Sequence, residues 1–261
     1  MAFMSESKPR VATTLWHQAF SQLLIERCPP SSEIRTEVQL SQYPSRVDLL
    51  LLRRIKQPPR DQDARILRGL WPLLSDTTLA DFKSPSREFR AGELLRLFRY
   101  GLEYHEINVA DVANRASMTL VLIVPRENKA LRDELAMLGY ALESVSPGYL
   151  RVRGGLMYTT YIVLLEKVAD AEHDDFVGIF TKQRAIRDEQ ARHWMHQWLV
   201  GKVTMRDSEN LEGYDEMLDK LLASIPPEKR LAGLSPDDIV DSLSEEQREA
   251  LAALLVSKTR H

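Results

Sequence analysis

The sequence contains a single cysteine, Cys28, among its 261 residues. One thiol can form neither an intramolecular disulfide nor a cysteine-based zinc cluster, so folds that depend on such cross-links are excluded. This sparing use of cysteine is typical of proteins kept in a reducing compartment, and we expect a cytoplasmic location.

Long hydrophobic runs are also missing. Apolar stretches such as residues 47–52 are only long enough for a strand, far short of the roughly 18 to 20 residues that span a bilayer. Residues 1–10 are polar and lack the apolar segment of a signal peptide. We therefore expect no membrane association, and we expect residues 1–10 to form a flexible tail.

The chain has no excess of positive charge. Its 35 Lys and Arg residues are outnumbered by 38 Asp and Glu residues, which gives a formal net charge of -3. This balance excludes a globally basic nucleic-acid-binding surface, although a local basic face is compatible with it. The apolar fraction of 44% is ordinary for a globular protein, and the length suits one large domain with or without an appendage.

Hydrophobic periodicity predicts an α/β fold. Trp16, Phe20, Leu23 and Leu24 recur at helical spacing within an amphipathic helix over residues 13–27. The same reasoning predicts further helices at 64–74, 88–104, 129–138, 174–200 and 209–223. It predicts strands at 32–38, 47–54, 77–83, 119–124, 149–153 and 158–165. Helices that connect strands indicate right-handed crossovers within a mixed sheet.

The strand signal stops after about residue 170, and a short repeat follows. Ile225, Leu234 and Leu243 each begin a four-residue motif that recurs every nine residues. Ser235 before a proline, and Ser244 three residues before Gln247, are typical helix N-caps. We therefore divide the chain into a tail at 1–10, an α/β core at 11–170 and a helical C-terminal region at 171–261. The short amphipathic helices suit association into a homo-oligomer.

Asp81 and Lys83 lie at the end of the third predicted strand, Thr77 to Lys83. Side chains two residues apart on a strand point to the same face, so this carboxylate and this ammonium should be neighbours. An exposed, purely structural ion pair at a strand end is one interpretation. A functional site is the other.

Two further acids favour the functional interpretation. If the first three strands form an antiparallel meander, Glu37 and Asp48 meet Asp81 and Lys83 at one end of the sheet. Asp48 begins a strand that is otherwise apolar, where a lone acid is costly to bury without a partner or a metal ion. Carboxylates suit Mg²⁺ or Mn²⁺, and a lysine beside them can position a water molecule. Glu37 could equally face solvent.

The neighbouring helices should bring more residues to this site. The N-terminal end of the first helix would supply His17 and Gln18, whereas Glu26 lies at its far end. The helix after Lys83 would supply Glu93 as an accessory residue. Three arginines of that segment could contact phosphates: Arg87, Arg90 and Arg96. Glutamates interleave with these arginines, so an ion-paired, solvated helix face is an equally good interpretation, and His17 also suits a structural role at the helix start.

A helix, a meander with an Asp on its second strand and Asp-x-Lys on its third, then a helix and a strand, resembles the core of the PD-(D/E)XK nuclease superfamily. The resemblance covers roughly residues 13–125 and rests on Asp48, Asp81 and Lys83. The Trp16-His17-Gln18 start and the Leu234-Ser235-Pro236 motif are similar to the recombination-promoting nuclease and transposase-like branch. Gln18 stands where that branch has an acid, and Val47 stands where the superfamily has its proline.

The resemblance implies a restriction-endonuclease-like mixed sheet flanked by helices, with the all-helical C-terminal appendage added. It also implies an Mg²⁺-dependent endonuclease in which the two aspartates bind the metal ion and Lys83 orients or activates the attacking water. DNA is the expected substrate and partner. A nuclease directed at RNA and a catalytically inactive binding or assembly module of the same fold are the alternatives.

Overall fold

The structure, a computed structural model, describes most of the chain. The described residues are 14–36, 49–54, 64–109, 112, 114–155, 157–182, 184–202, 212–231 and 235–258. Glu37 and Asp48, two of the predicted site residues, lie outside them. The chain divides into two compact units, Met1–Leu221 and Leu222–His261.

Seven strands form one mixed sheet in the first unit, with the order β1-β2-β3-β4-β7-β6-β5. The strands are β1 (Ser32–Arg35), β2 (Leu49–Arg54), β3 (Thr77–Phe82), β4 (Met118–Val124), β5 (Ala141–Ser146), β6 (Tyr149–Arg153) and β7 (Thr159–Leu164). β4 pairs in parallel with β3 and β7, and every other pairing is antiparallel. The sheet thus consists of two antiparallel meanders joined through β4.

Ten α-helices are present in the described part of the chain. They are α1 (Leu15–Arg27), α2 (Glu93–Ile107), α3 (Lys129–Met137), α4 (Leu165–Glu172), α5 (Asp175–Gly178), α6 (Glu189–Lys202), α7 (Tyr214–Ser224), α8 (Pro227–Leu231), α9 (Pro236–Ser242) and α10 (Glu245–Lys258). None of the described helices combines the length and apolar character that a membrane crossing needs.

The sheet separates two hydrophobic cores. On one face, α1 and the helices from α4 to α6 pack against alternate residues of the central strands, such as Val121 and Ile123. On the other face, α2 and α3 pack against Leu120 and Leu122. All seven residues of β4 are buried because both of its faces are covered.

Most predicted elements are present, with several corrections. The predicted helix at 64–74 is a series of turns that contains only a short 3₁₀ segment, Trp71–Leu73. The predicted helix at 174–200 is interrupted, because the Asp175 carboxylate accepts hydrogen bonds from the backbone N–H groups of Arg187 and Asp188, both at 2.6 Å. The helix predicted at 88–104 begins only at Glu93, and neither strand β5 nor helix α4 was predicted.

The first unit extends beyond the boundary that we placed after residue 170. Ala191, Met195 and Trp198 of α6 and Met217 of α7 are buried in the core on the α1 face. These helices therefore complete the α/β unit. The second compact unit begins only at Leu222.

The second unit contains the predicted short, capped helices. The Ser235 hydroxyl accepts a hydrogen bond from Asp238 N at 3.1 Å, and the Asp238 carboxylate accepts one from Ser235 N at 3.1 Å. Ser244 and Gln247 form the same reciprocal arrangement at 3.3 and 3.0 Å. Both capping predictions are confirmed.

Candidate active site

Asp81 lies near the end of β3, in the middle of the sheet. It pairs with Leu49 on the antiparallel strand β2 and with Leu122 on the parallel strand β4. Only 4% of the residue is exposed. Because side chains alternate along β3, Asp81 and Leu79 share the α2 face, whereas Phe82 belongs to the opposite core. A carboxylate is therefore buried where β3, β4 and β7 all end, which we call the carboxyl end of the sheet.

Lys83 lies just past the strand and is held between two acids. Its backbone N–H donates to Ile123 O at 2.8 Å, which continues the pairing with β4. Its Nζ atom lies 3.0 Å from Asp81 Oδ2 and 3.2 Å from Glu93 Oε1. The Lys83 side chain is only 12% exposed. The predicted proximity of the Asp81 and Lys83 side chains is confirmed. The Glu93 carboxylate is a second acidic partner of Lys83.

The start of α2 fixes the position of Glu93. Gly92 precedes the helix with a φ of 90°, a conformation that side chains other than glycine rarely adopt. The Glu93 carboxylate accepts a hydrogen bond from Arg90 N at 2.9 Å. With Oε2 engaged in this way, the other oxygen, Oε1, faces Lys83.

Glu134, on α3, also holds the start of α2 in place, a role that was not predicted from the sequence. Its carboxylate accepts hydrogen bonds from Gly92 N at 2.8 Å and from Leu95 N at 3.0 Å. The residue is 3% exposed. An acid caps the positive end of α2 from a neighbouring helix, which is favourable. An acid on the apolar stripe of Leu131 and Leu135 was the signal that could have revealed it.

The buried charges at this site affect one another. Burial raises the pKa of the Asp81 carboxyl above its ordinary value, and the Lys83 ammonium offsets part of that shift. Burial alone would lower the pKa of Lys83, but the charges of Asp81 and Glu93 outweigh burial and raise it. Lys83 is therefore a cation at neutral pH.

His17 connects α1 to the end of β3. Its Nε2 atom lies 2.7 Å from Phe82 O, and its Nδ1 atom lies 2.6 Å from Thr14 Oγ1. Since a carbonyl only accepts, we assign the proton to Nε2, and the Thr14 hydroxyl then donates to Nδ1. Gln18, the next residue, is solvent-exposed. Of these two predicted accessory residues, His17 is the one that lies next to β3, and its contact with Phe82 O holds the end of that strand.

The three predicted phosphate-binding arginines do not form one continuous cationic stripe. Arg87 Nη2 lies 2.5 Å from Glu212 Oε2. Arg96 Nη1 lies 3.9 Å from Glu93 Oε1, and Arg90 is exposed. Two of these guanidinium groups thus have carboxylate partners within the protein, so the ion-paired interpretation applies to Arg87 and Arg96.

A complete set of metal ligands is not present among the described residues alone. No group of three His, Cys, Asp or Glu side chains there is arranged to hold a metal ion. Asp81 and Glu93 are oxygen donors of the kind that Mg²⁺ and Mn²⁺ prefer, but Lys83 occupies the space between them. Any metal site at this end of the sheet needs a further acid, and Asp48 is the residue that precedes Leu49 in the chain.

Comparison with known proteins found no matching family model, no similar curated protein and no similar solved structure. The chemistry of the site therefore has to be argued from its own residues. A buried carboxylate and a lysine held as a cation can together position a water molecule and stabilise negative charge that develops near it.

Proposed function

We propose that the protein is a metal-dependent nuclease of the PD-(D/E)XK type, with a restriction-endonuclease-like core that hydrolyses phosphodiester bonds in DNA. The observation that supports this proposal most is the buried ion pair of Asp81 and Lys83 at the carboxyl end of the sheet. The order α1, β1, β2, β3, α2, β4 also agrees with the expected core.

Asp48 and Asp81 would hold the Mg²⁺ or Mn²⁺ ion, with Glu37 as a further candidate ligand. The donor set fits such an ion, because all of these ligands are carboxylates. When bound, the ion would polarise the phosphate and lower the pKa of a coordinated water molecule.

Lys83 would orient the attacking water and stabilise charge on the phosphate. Its raised pKa favours this role over that of a general base, since a protonated amine cannot accept a proton. Glu93 and Asp81 hold the ammonium from two sides, at 3.2 and 3.0 Å. The lysine is thereby positioned before any substrate binds, which reduces the reorganisation that the reaction requires.

The test is cleavage of a labelled DNA duplex with Mg²⁺ or Mn²⁺ by the wild type and by Lys83→Ala. We expect the variant to lose at least about 10²-fold in rate, the effect of removing one charge-stabilising group. Because Lys83 is largely buried, circular dichroism must first show that the variant is folded. Asp48→Asn provides a second test that leaves the buried Lys83 cluster unchanged.

Lys167→Ala is the matched control, because it removes a lysine from an exposed position on α4. It should cleave at the wild-type rate. Full activity in folded Lys83→Ala or in Asp48→Asn would overturn the assignment. A single-stranded RNA of the same sequence, assayed in parallel, distinguishes a DNA-directed from an RNA-directed nuclease.

A catalytically inactive binding or assembly module of the same fold is the second candidate function. The observation that favours it is the engagement of Lys83, Arg87 and Arg96 with carboxylates of the protein itself. Isothermal titration with Mg²⁺ and Mn²⁺ separates the two candidates. Metal binding that Asp48→Asn abolishes supports the nuclease, and no binding at millimolar metal ion supports the module.

A further inference from the structure

A second group of charged side chains lies at the carboxyl end of the sheet, apart from the Asp81 and Lys83 pair. Glu88 belongs to the segment between β3 and α2, Arg126 follows β4, and Lys182 follows α5. Glu88 Oε1 lies 2.9 Å from Arg126 Nη2 and 2.8 Å from Lys182 Nζ. Two cations from separate segments thus converge on one carboxylate oxygen, and we call these three residues the two-cation cluster.

Other contacts hold the backbone that carries the two-cation cluster. The Asn128 side chain donates a hydrogen bond to Phe89 O at 2.8 Å, which joins the segment after β4 to the segment after β3. Thr181, the residue before Lys182, is 1% exposed and donates from its hydroxyl to Gly178 O at 2.8 Å. The positions of the two cations therefore do not depend on the glutamate alone.

The two-cation cluster is accessible to water and carries an excess of positive charge. The side chains of Arg126 and Lys182 are 41% and 43% exposed, and that of Glu88 is 34% exposed. Ion pairs of such exposure contribute little to stability, so the fold does not require this carboxylate between the cations. Glu127, the next acid in the chain, has its own partner, Arg132, at 3.8 Å. Two cations therefore share one carboxylate.

The Glu88 carboxylate occupies the position of a bound oxyanion. Hydrogen bonds from Lys182 and Arg126 hold the pKa of this carboxyl below its ordinary value, so Glu88 is an anion at neutral pH. Ammonium and guanidinium groups are also the donors that bind phosphate oxygens. A phosphodiester has the same single negative charge as a carboxylate, so exchanging one for the other leaves the charge between the two cations unchanged.

The two-cation cluster lies close to Lys83 along the end of the sheet. Lys83 N donates to Ile123 O at 2.8 Å, and Arg126 is three residues after Ile123. Three residues of extended chain cover at most ~11 Å. One strand of duplex DNA advances ~3.4 Å per nucleotide along the helix axis. A strand with one phosphate at Lys83 can therefore bring a phosphate about three nucleotides away to Arg126.

We propose that Arg126 and Lys182 bind a backbone phosphate of DNA near the scissile one, and that the Glu88 carboxylate occupies this position until DNA displaces it. The identity of the ligand rests on the proposed nuclease function, whereas the cluster itself includes neither Asp81 nor Lys83. DNA displaces the carboxylate because its other phosphates make further contacts and every such contact releases counterions. Glu88 thus weakens the binding of DNA by competing for the two cations.

Fluorescence anisotropy of a labelled DNA duplex with the full chain in EDTA tests the proposal, because a metal-dependent nuclease cannot cleave the probe there. Arg126→Gln and Lys182→Gln should each weaken binding at least about threefold and reduce the slope of log affinity against log salt concentration by about 1. Glu88→Gln should bind at least about threefold more tightly, because the competing charge is removed.

Arg153→Gln and Glu143→Gln are the matched controls. They remove the same charges from an ion pair between β6 and β5, whose side chains are 51% and 49% exposed. Arg153 lies at the opposite end of the sheet, where β4 and β7 begin, so both controls should bind DNA like the wild type. Circular dichroism should show the wild-type spectrum for all five variants, because each substitution is at a partly exposed side chain.

Losses of affinity in Arg126→Gln and Lys182→Gln no larger than in Arg153→Gln would overturn the phosphate site. A Glu88→Gln variant that binds no more tightly than Glu143→Gln would overturn the competition. Displacement of the duplex by inorganic phosphate, but not by sodium chloride of equal ionic strength, would assign the cluster to free phosphate and overturn its role in DNA binding. Cleavage by Lys83→Ala tests the nuclease proposal separately. Loss of that cleavage together with wild-type DNA affinity in Arg126→Gln and Lys182→Gln would overturn the phosphate site alone.

Discussion

The two ends of the sheet differ in how their positively charged side chains are neutralised. At the carboxyl end, Lys83 is buried and touches two carboxylates. At the opposite end, where β4 and β7 begin, Arg115, Arg151 and Arg153 line an open pocket. Glu143 on β5 forms an exposed ion pair with Arg153 and lies across from Arg151. A buried charge must be neutralised by the protein, whereas water can solvate an exposed one. Lys83 at the carboxyl end is therefore neutralised inside the protein, whereas the arginines at the opposite end are largely solvated by water.

Among the variants that test this difference, Lys83→Met should lower the free energy of unfolding the most. Loss of the ammonium leaves the buried Asp81 and Glu93 carboxylates without their shared cation, which should lower the free energy of unfolding by about 3–5 kcal/mol. Urea unfolding followed by circular dichroism measures this change. A loss below about 1 kcal/mol would mean that the carboxyl end does not depend on internal neutralisation.

Glu134→Ala should have the next largest effect. It leaves the N–H groups of Gly92 and Leu95 without their acceptor at the start of α2, at a cost of about 2–3 kcal/mol. Glu134→Gln keeps an acceptor oxygen and should cost roughly half as much. Thermal unfolding of both variants gives the comparison, and equal losses would show that the volume of the side chain matters more than its hydrogen bonds.

Acidification should reduce the difference in unfolding free energy between Lys83→Met and the wild type. The pKa of Asp81 is already raised by burial, and it should rise further once Lys83 is absent. A carboxyl with a raised native pKa binds protons more readily when folded, so the variant gains stability relative to the wild type as the pH falls. Between about pH 7 and pH 5 we expect the gap in unfolding free energy to shrink by about 1 kcal/mol. A gap that widens on acidification would contradict the assignment of the burial penalty to Asp81.

Arg151→Gln should have the smallest effect on stability. Arg151 interacts with the exposed Glu143 across the strand pair only at longer range than Arg153 does, so its loss should change the unfolding free energy by no more than about 0.5 kcal/mol. Arg132→Gln removes an exposed guanidinium whose Glu127 partner is 3.8 Å away, and it should change the unfolding free energy equally little in urea unfolding. A loss above about 1 kcal/mol would show that the end where β4 and β7 begin also uses its cations for internal stability.

Alternation along β3 was enough to predict that Asp81 and Lys83 are neighbours, because strand periodicity fixes the face of each side chain. The antiparallel pairing of β1 to β3 was an assumption at the level of the sequence, and the structure confirms it. Asp48 and Glu37 stay predictions, since they lie outside the described residues. The surroundings of the arginines were the hardest feature to predict, because sequence spacing does not reveal that the Glu212 carboxylate contacts Arg87.

The elements that sequence reasoning missed depend on distant partners. Strand β5 is mostly exposed, and as an edge strand it has little apolar alternation to reveal it. The break before α6 depends on Asp175, which binds backbone groups 12 and 13 residues away. Glu134 acts on a helix start about forty residues earlier in the chain. Local sequence patterns do not identify the partners of such long-range hydrogen bonds, although an acid on the apolar stripe of α3 marks Glu134 itself as unusual.

The position of β4 between the two meanders has a consequence for folding kinetics. Each meander pairs strands that follow one another in sequence, so both can form early. The parallel pairings of β4 instead join residues about 40 positions apart, such as Thr119 with Thr78 and with Thr159. Closing such separations is slow. We expect insertion of β4 to limit the folding rate, and until it occurs this apolar strand is the segment most prone to aggregation.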